Sequence, residues 1–359
     1  MSHPSTLSEV IAQLEAGHPP LADAGFLGAT LSPAEAALVL LPVPWEATTS
    51  YGGGTSQGPA AIISASHQLD LEDSVFDRPY RAGISFLDAD PLIARLNDDA
   101  KPVAAAVIDA LEHGRQAADE LALVNQASAR VNEIVYSQAK EQLDAGKLVA
   151  LVGGDHSCPE GLIRALGETQ NEPFAILHFD AHHDLRVAFE GFTSSHASIF
   201  YNVMEGVPRV DRLVQVGIRD YSRDEKAYAM GLGERCRVFY SSELFRRRAA
   251  GESFGELTAA ILEALPQRVY VSFDIDALDP AYCPSTGTPV PGGLSFEEAC
   301  YIIEELALSG RTIIGFDLCE VSPADDGSEW DANVGARMLY KLCGALLHSQ
   351  GLCRQQQGQ

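Results

Sequence analysis

Three short stretches of this chain carry residues able to hold metal ions. The run Leu177-His178-Phe179-Asp180-Ala181-His182-His183-Asp184 places Asp, His and Asp at steps of two, directly after the apolar segment Phe174 to Leu177. Gly153-Gly154-Asp155-His156-Ser157 and Ser272-Phe273-Asp274-Ile275-Asp276-Ala277-Leu278-Asp279-Pro280 also follow apolar, β-branched runs. Such runs read as buried strands, so each cluster falls at a strand end. His156, Asp180, His182, Asp184, Asp274 and Asp276 form an oxygen-rich donor set with imidazole and no thiolate. The lack of thiolate disfavours a structural zinc site. Carboxylate with imidazole suits Mn(II), with Ni(II), Co(II), Fe(II) and Zn(II) as alternatives. The set exceeds what one ion needs, and a bridging carboxylate can hold two divalent cations ~3.5–4 Å apart. Coordination can lower the pKa of a bound water from roughly 15.7 to about 7, so hydrolysis is the natural chemistry. A lone Asp at a strand end is ordinarily a helix cap, and Asp155, Asp279 and His183 read as such satisfied polar residues.

Positioning three clusters together requires strands that end side by side. Candidate strands are Ala37–Leu41, Ala82–Leu87, Leu148–Val152, Phe174–Phe179, Leu213–Gly217, Arg237–Tyr240, Val269–Phe273 and Ile313–Leu318. Helix-like stretches lie between them, such as Pro102–Glu120, Ala127–Leu143, Glu160–Leu166, Phe254–Leu265, Phe296–Leu308 and Asn333–Leu347. This alternation predicts a single three-layer α/β/α domain whose mainly parallel sheet has about eight strands. Ligands of such sheets bind off the carboxyl ends of the strands, where the three clusters fall. Residues 1–30 read as an N-terminal arm, with a short amphipathic pattern (Leu7, Val10, Ile11, Leu14) before Pro19-Pro20. Residues 31–350 form the domain, and the Gln-rich tail Arg354 to Gln359 is expected to be a disordered end.

The composition narrows the partners. With 359 residues, 46% of them hydrophobic, a sizeable core is assured and global disorder excluded. A net charge of −25 argues against nucleic acid or an anionic membrane surface as partner. It is compatible with a cationic substrate. No apolar run reaches the ~18 residues needed to span a bilayer, and Met1 to Gly17 lacks the basic start and apolar core of a secretory signal. The seven cysteines are scattered without a CxxC pair, which fits a reducing cytoplasm.

The motif combination resembles the ureohydrolase family, which includes arginase and agmatinase. Beyond the three clusters, Thr288-Pro289-Val290-Pro291-Gly292-Gly293-Leu294 and the Glu of Phe316-Asp317-Leu318-Cys319-Glu320 extend the match, which runs from about Leu38 to Leu347. The resemblance implies one metal held by His156, Asp180, Asp184 and Asp274, and another by Asp180, His182, Asp274 and Asp276. It implies that His196 shuttles a proton, that Glu320 anchors a guanidinium group, and that the protein is a homo-oligomer, trimer or hexamer. The chemistry asks for both extra residues. An amine leaves a tetrahedral intermediate well only when protonated, which suits a His. A planar guanidinium matches a carboxylate with two acceptor oxygens.

Within the family, Thr288 to Gly293 resembles the agmatinase-like branch, and Leu185 to Ser195 lacks the Asn-centred pattern with which arginases read an α-amino acid. The expectation is hydrolysis of agmatine to putrescine and urea. Arg186 is similar to formimidoylglutamase, which keeps formimidoylglutamate and 4-guanidinobutyrate as alternatives. The loop Trp45 to Thr55 departs from the plain agmatinase pattern and lacks the Lys of a phosphate-binding loop. It is expected to line the pocket mouth, where a variant loop could suit free guanidine or a small N-substituted guanidine, with nickel. A metal-bearing but silent partner subunit is the alternative of another class. Such subunits usually lose ligands, and this chain keeps all six.

Overall fold

The strand Leu38–Val43 is buried at every position, as is Phe174–Phe179. A strand hidden on both faces belongs in a sheet covered by helices on both sides. In the computed structural model, which describes residues 6–17, 20 and 24–356, this is the arrangement. The chain runs α1 (Leu7–Glu15), β1 (Leu38–Val43), α2 (Gly58–Ser66), β2 (Phe76–Asp77), β3 (Ile84–Phe86), α3 (Pro91–Glu112) and α4 (Ala118–Asp144). It continues with β4 (Leu148–Gly153), α5 (Glu160–Thr169), β5 (Phe174–Phe179), α6 (Ile199–Gly206), β6 (Val210–Val216), α7 (Arg223–Gly231), β7 (Cys236–Phe239) and α8 (Ser241–Ala249). The last elements are α9 (Phe254–Glu263), β8 (Arg268–Asp274), α10 (Phe296–Leu308), β9 (Thr312–Cys319), α11 (Trp330–Ser349) and β10 (Arg354–Gln355).

Eight strands form one parallel sheet in the order β3-β1-β4-β9-β8-β5-β6-β7. All eight expected strands are in it. On one face α2, α9, α10 and α11 bury Ile62, Ile261, Ile303 and Leu339; on the other, α3 to α6 bury Ile93, Val135, Leu162 and Val203. The chain steps from β4 to β5 across two positions that β8 and β9 fill later. The four central strands therefore come from distant parts of the sequence. Their register matters for function. Phe179 pairs with Phe273, Asp274 with Cys319, and Val152 with Leu318, so the carboxyl ends of β5, β8, β9 and β4 finish almost level.

Two expectations are corrected. The helix expected at Pro102–Glu120 is two helices: α3 passes through Pro102, and α4 begins at Ala118. The start signal is Asp90, whose carboxylate accepts from Leu92 N, followed by Pro91. Gly114, at φ +66°, supplies the turn that ends α3. Pro102 costs a helix interior about 3 kcal/mol, offset by the buried row Ile93, Asn97, Ala100, Ala104 and Val107. The tail is not wholly irregular: Arg354 and Gln355 pair with Asp77 and Phe76 as an antiparallel ribbon, and 357–359 lie outside the described residues. At the other end, α1 opens with a capping box between Thr6 and Glu9 and sets Val10 against Ala29, Leu31 and Ala36. No helix among the described residues is long and apolar enough to cross a membrane, and the seven cysteines are unpaired.

Candidate metal centre

Close backbone approach builds the first cluster. A Cβ on Gly153 would meet Cys319 Sγ at 2.5 Å, and one on Gly154 would meet Trp45 O at 2.1 Å. Only glycine lets β4 turn under its neighbours here, and the turn delivers His156 to the level of Asp180 and Asp274. Asp184 and Glu320 both adopt positive φ, +55° and +66°. Non-glycine residues held there cost about 1–3 kcal/mol each, and such strain gathers at functional sites.

The six expected donors are brought together. His156 Nδ1 lies 3.0 Å from Asp180 Oδ2, 3.2 Å from Asp184 Oδ2 and 3.2 Å from Asp274 Oδ2. His182 Nδ1 lies 3.0 Å from Asp276 Oδ2 and 3.3 Å from Asp180 Oδ1. Asp180 thus faces both groups, one oxygen to each. Backbone N–H groups fix the carboxylates: Asp274 Oδ1 accepts from Asp276 N at 2.8 Å, and Asp276 Oδ1 from Ala181 N at 2.9 Å. The Oδ2 atoms of both are left turned inward. His156, Asp180, Asp184, Asp274 and Asp276 are buried.

Buried carboxylates this close repel one another, and the protonation of the cluster shows it. Burial, then the charge of Asp180, raises the Asp184 carboxyl to about 7, and burial with Asp276 and Asp180 holds Asp274 well above the ordinary range. Burial opposes a charged His156, yet hydrogen bonds to Asp180, Asp184, Asp274 and Asp317 outweigh it and raise its pKa well above the usual value. A concentrated negative charge served by three imidazoles, those of His156, His178 and His182, calls for cations. Carboxylate oxygens with imidazole nitrogen are the donors a Mn(II)-like pair takes. The residues fit a binuclear centre.

A supporting layer escaped the sequence reading. His156 Nε2 meets Ser272 Oγ at 2.9 Å, and Ser272 donates onward to the buried Asp317 at 2.9 Å. A ligating imidazole is ordinarily oriented in this way. Arg219 donates to the carbonyls of Asp276 and Val290, each at 2.8 Å, and so ties the third cluster to the 290 loop. Buried polar positions inside apolar strands, such as Ser272, Asp317 and Gln215, are the signal that could have found this layer. Asp155 and Asp279 do cap local backbone, at Ser157 N and Ala281 N, and His183 is a satisfied buried residue on Gln215.

His156, His182, Asp184 and Asp274 line a cavity of about 300 Å³ whose walls include His196, Glu320, Ser50, Arg186, Asp220, Tyr221, Glu225 and Thr288. Glu320 Oε1 accepts from His156 N at 3.0 Å, while Oε2 lies beside Gly287, where a Cβ would come within 3.2 Å of it. His196 packs edge-on to Phe189, with Nδ1 lacking a protein partner. Burial, then the neighbouring His182 and His156, lowers its pKa to about 4. Arg186 reaches the buried Glu225 at 3.5 Å and stacks on Phe189. The 45–55 loop is anchored by buried Glu46, which accepts from Gly54 N, Thr55 Oγ1 and Ser56 N and pairs with Lys101. That anchoring sets Ser50 at the cavity wall.

A family model described as the arginase family matches residues 36–344. The N(1)-aminopropylagmatine ureohydrolase of Thermus thermophilus is 33% identical over 311 residues, which are 86% of this chain and 90% of that one. The agmatinase of Chromobacterium violaceum is 32% identical over 302 residues, 84% of this chain and 80% of that protein. Among solved structures, the proclavaminate amidino hydrolase from Streptomyces clavuligerus superposes with a TM-score of 0.70 at 24% identity, covering 93% of this chain and 100% of that one. The chain belongs to the arginase family, in its agmatinase-like branch. It is a ureohydrolase, acting on the C–N bonds of guanidino compounds, and proteins of its family bind a binuclear divalent metal site.

Proposed function

We propose that the chain hydrolyses a cationic alkylguanidine, agmatine or an N-substituted agmatine, to urea and the corresponding amine. The observation that carries this reading is that Glu320, His196 and four of the metal donors line one cavity. His156, Asp180, Asp184 and Asp274 would hold one cation, and Asp180, His182, Asp274 and Asp276 the other. Such a pair supplies a water of lowered pKa at neutral pH. Glu320 receives the planar guanidinium through a charge-assisted pair, with Oε1 already oriented by His156 N–H. Water adds to the guanidinium carbon and the bond from carbon to the alkyl nitrogen breaks. His196, neutral near pH 7, takes up the proton given off by the water and passes it to the departing amine.

The mouth of the cavity favours a cationic tail. Asp220 and Glu225 stand in its wall, and the guanidinium of Arg186 is drawn to Glu225. The relatives' names, agmatinase and N(1)-aminopropylagmatine ureohydrolase, point to the same substrate class. A second reading rests on Arg186 itself, whose place in the wall would suit a carboxylate-bearing substrate such as 4-guanidinobutyrate. The deciding experiment is urea release by protein reloaded with Mn(II) or with Ni(II). The panel is agmatine, N(1)-aminopropylagmatine, guanidine, 4-guanidinobutyrate and formimidoylglutamate, the last followed by release of formamide. Turnover led by a cationic alkylguanidine supports the proposal. Turnover confined to the acidic compounds, or to guanidine, overturns it.

A further inference from the structure

Behind the donor cluster runs a chain of wholly buried polar side chains that the reaction does not use directly. Gln215 sits on β6 opposite His178 on β5, within the otherwise apolar run Leu213 to Val216. Its Nε2 donates to the carbonyl of His183 at 2.8 Å and meets His178 Nδ1 at 2.9 Å, while its Oε1 meets His183 Nδ1 at 2.6 Å. His178 Nε2 lies 2.8 Å from Asp180 Oδ2. His178, Gln215, His183 and Asp180 all have zero exposure.

The direction of this chain follows from one fixed point. The His183 carbonyl can only accept, so the amide nitrogen of Gln215 must face it; flipping the amide would set two acceptors against each other. The second amide hydrogen then points at His178 Nδ1, which must accept. His178 therefore carries its proton on Nε2 and gives it to Asp180 Oδ2. Gln215 Oε1 likewise takes the Nδ1–H of His183. A buried amide with both hydrogens and its oxygen engaged has no low-cost alternative arrangement, which makes such a network rigid.

The last link lands where it bears on the metals. Asp180 Oδ2, which receives the His178 proton, is the oxygen beside His156, while Oδ1 accepts from His182 N at 2.5 Å and faces His182. Each oxygen of this carboxylate is thus pinned by one N–H and left with capacity on one side of the centre.

We propose that Gln215 is a positioning residue for the metal pair: it sets the polarity of the chain His183–Gln215–His178–Asp180, and His178 thereby fixes which oxygen of Asp180 serves which cation. His178 belongs to the same buried donor group as His156, Asp180 and Asp184. In this assignment it acts on the centre as a hydrogen-bond donor, with its lone pair spent on Gln215. The proposal rests on the two-cation reading of the site and is independent of the substrate.

The test is Mn(II) binding by the full chain without substrate, read as ions per chain after dialysis and as the spin-coupled Mn(II) pair by electron paramagnetic resonance. Gln215→Glu replaces the donating nitrogen by an oxygen at nearly constant shape, and His178→Phe removes the final N–H. Both should weaken one ion of the pair by about 10–100-fold and replace the coupled spectrum by that of single ions. His178→Gln, which keeps an N–H near the position of Nε2, should restore the pair. Thermal melting of the metal-free proteins reports folding; if Gln215→Glu does not fold, the two His178 variants decide. Folded Gln215→Glu and His178→Phe that hold two ions as tightly as the parent overturn the proposal and leave the two-cation reading standing. A parent chain that never holds two ions overturns both.

Discussion

The carboxylate of Glu320 accepts a hydrogen bond from the backbone N–H of His156 at 3.0 Å. The side chain proposed to hold the substrate and the residue proposed to hold a cation therefore move as one piece. Thr286 Oγ1 donates to the Glu320 carbonyl, and Glu320 N to Gly154 O, each at 2.8 Å, so the strained Glu320 backbone is held at both ends. Burial, then Asp155 and Asp276, holds the Glu320 carboxyl well above the ordinary range, so its charge depends on the cations and guanidinium it would face. Glu320→Gln keeps an oxygen for His156 N and removes that charge. Metal content should be unchanged, while kcat/KM falls by about 10–100-fold, the worth of one charge-assisted hydrogen bond. Steady-state urea assays beside metal analysis check it. Undiminished turnover would remove Glu320 from substrate binding.

Asp274→Asn separates charge from shape in the same way. The Asn oxygen can still accept from Asp276 N, so the turn after β8 should persist. The inward oxygen beside His156, however, loses its charge or becomes a donor. Urea release should drop to background because the ions are lost, with the metal-free melting temperature near that of the parent. A variant with both ions and full activity would show that Asp274 is no ligand.

Much of this centre was legible in the sequence, for a physical reason. Donors to divalent cations come from few residue types, here Asp and His, and in a parallel sheet they sit at carboxyl ends of strands, so type and place are constrained together. The central strands of the sheet were legible because doubly buried strands are almost purely apolar, as in Leu38–Val43. The edge strands β3 and β7 are only partly buried and were legible from their short apolar runs. Helices α2, α6, α7 and α8 were not: all four are short, and α7 and α8 are also polar, each with a single buried apolar residue, Ala229 and Leu244. The α3 boundary was misplaced because Pro102 reads as a helix start, although packing of its buried row overrides it. The supporting residues Gln215, Ser272 and Asp317 were hidden because their partners lie 32 to 116 positions away. Only the register of β4, β9, β8, β5 and β6 brings them together.

His196 gives a pH dependence with a definite sign. Its folded value, about 4, lies below the ordinary 6.5 because burial and then His182 and His156 disfavour its charged form. Between pH 6.5 and about 4 the unfolded chain takes up a proton that the folded chain refuses, so this residue makes stability fall as pH drops through that window. In the metal-free His196→Asn protein the loss over the window should be shallower than in the parent. Chemical denaturation at several pH values measures the difference, and superimposable slopes would place the His196 titration elsewhere.

Arg186 offers the sharpest test of substrate charge. Its guanidinium stands in the cavity wall, 3.5 Å from Glu225, whose carboxylate also accepts from Ser222 N at 2.9 Å. Glu225 should therefore stay in place when its partner is removed, and Arg186→Gln makes the cavity more negative by one charge. For a partly exposed charge, an effect of about 1 kcal/mol is the right scale, which converts to roughly fivefold. With a dicationic substrate such as agmatine, KM should fall by about that factor at low ionic strength, and the gain should shrink as salt screens it. With 4-guanidinobutyrate, KM should rise instead. The opposite signs make the variant informative. A rise in KM for agmatine would mean that Arg186 touches the substrate in a way charge does not describe. Loss of an acidic substrate alone, with agmatine inert throughout, would move the assignment to the carboxylate-bearing class.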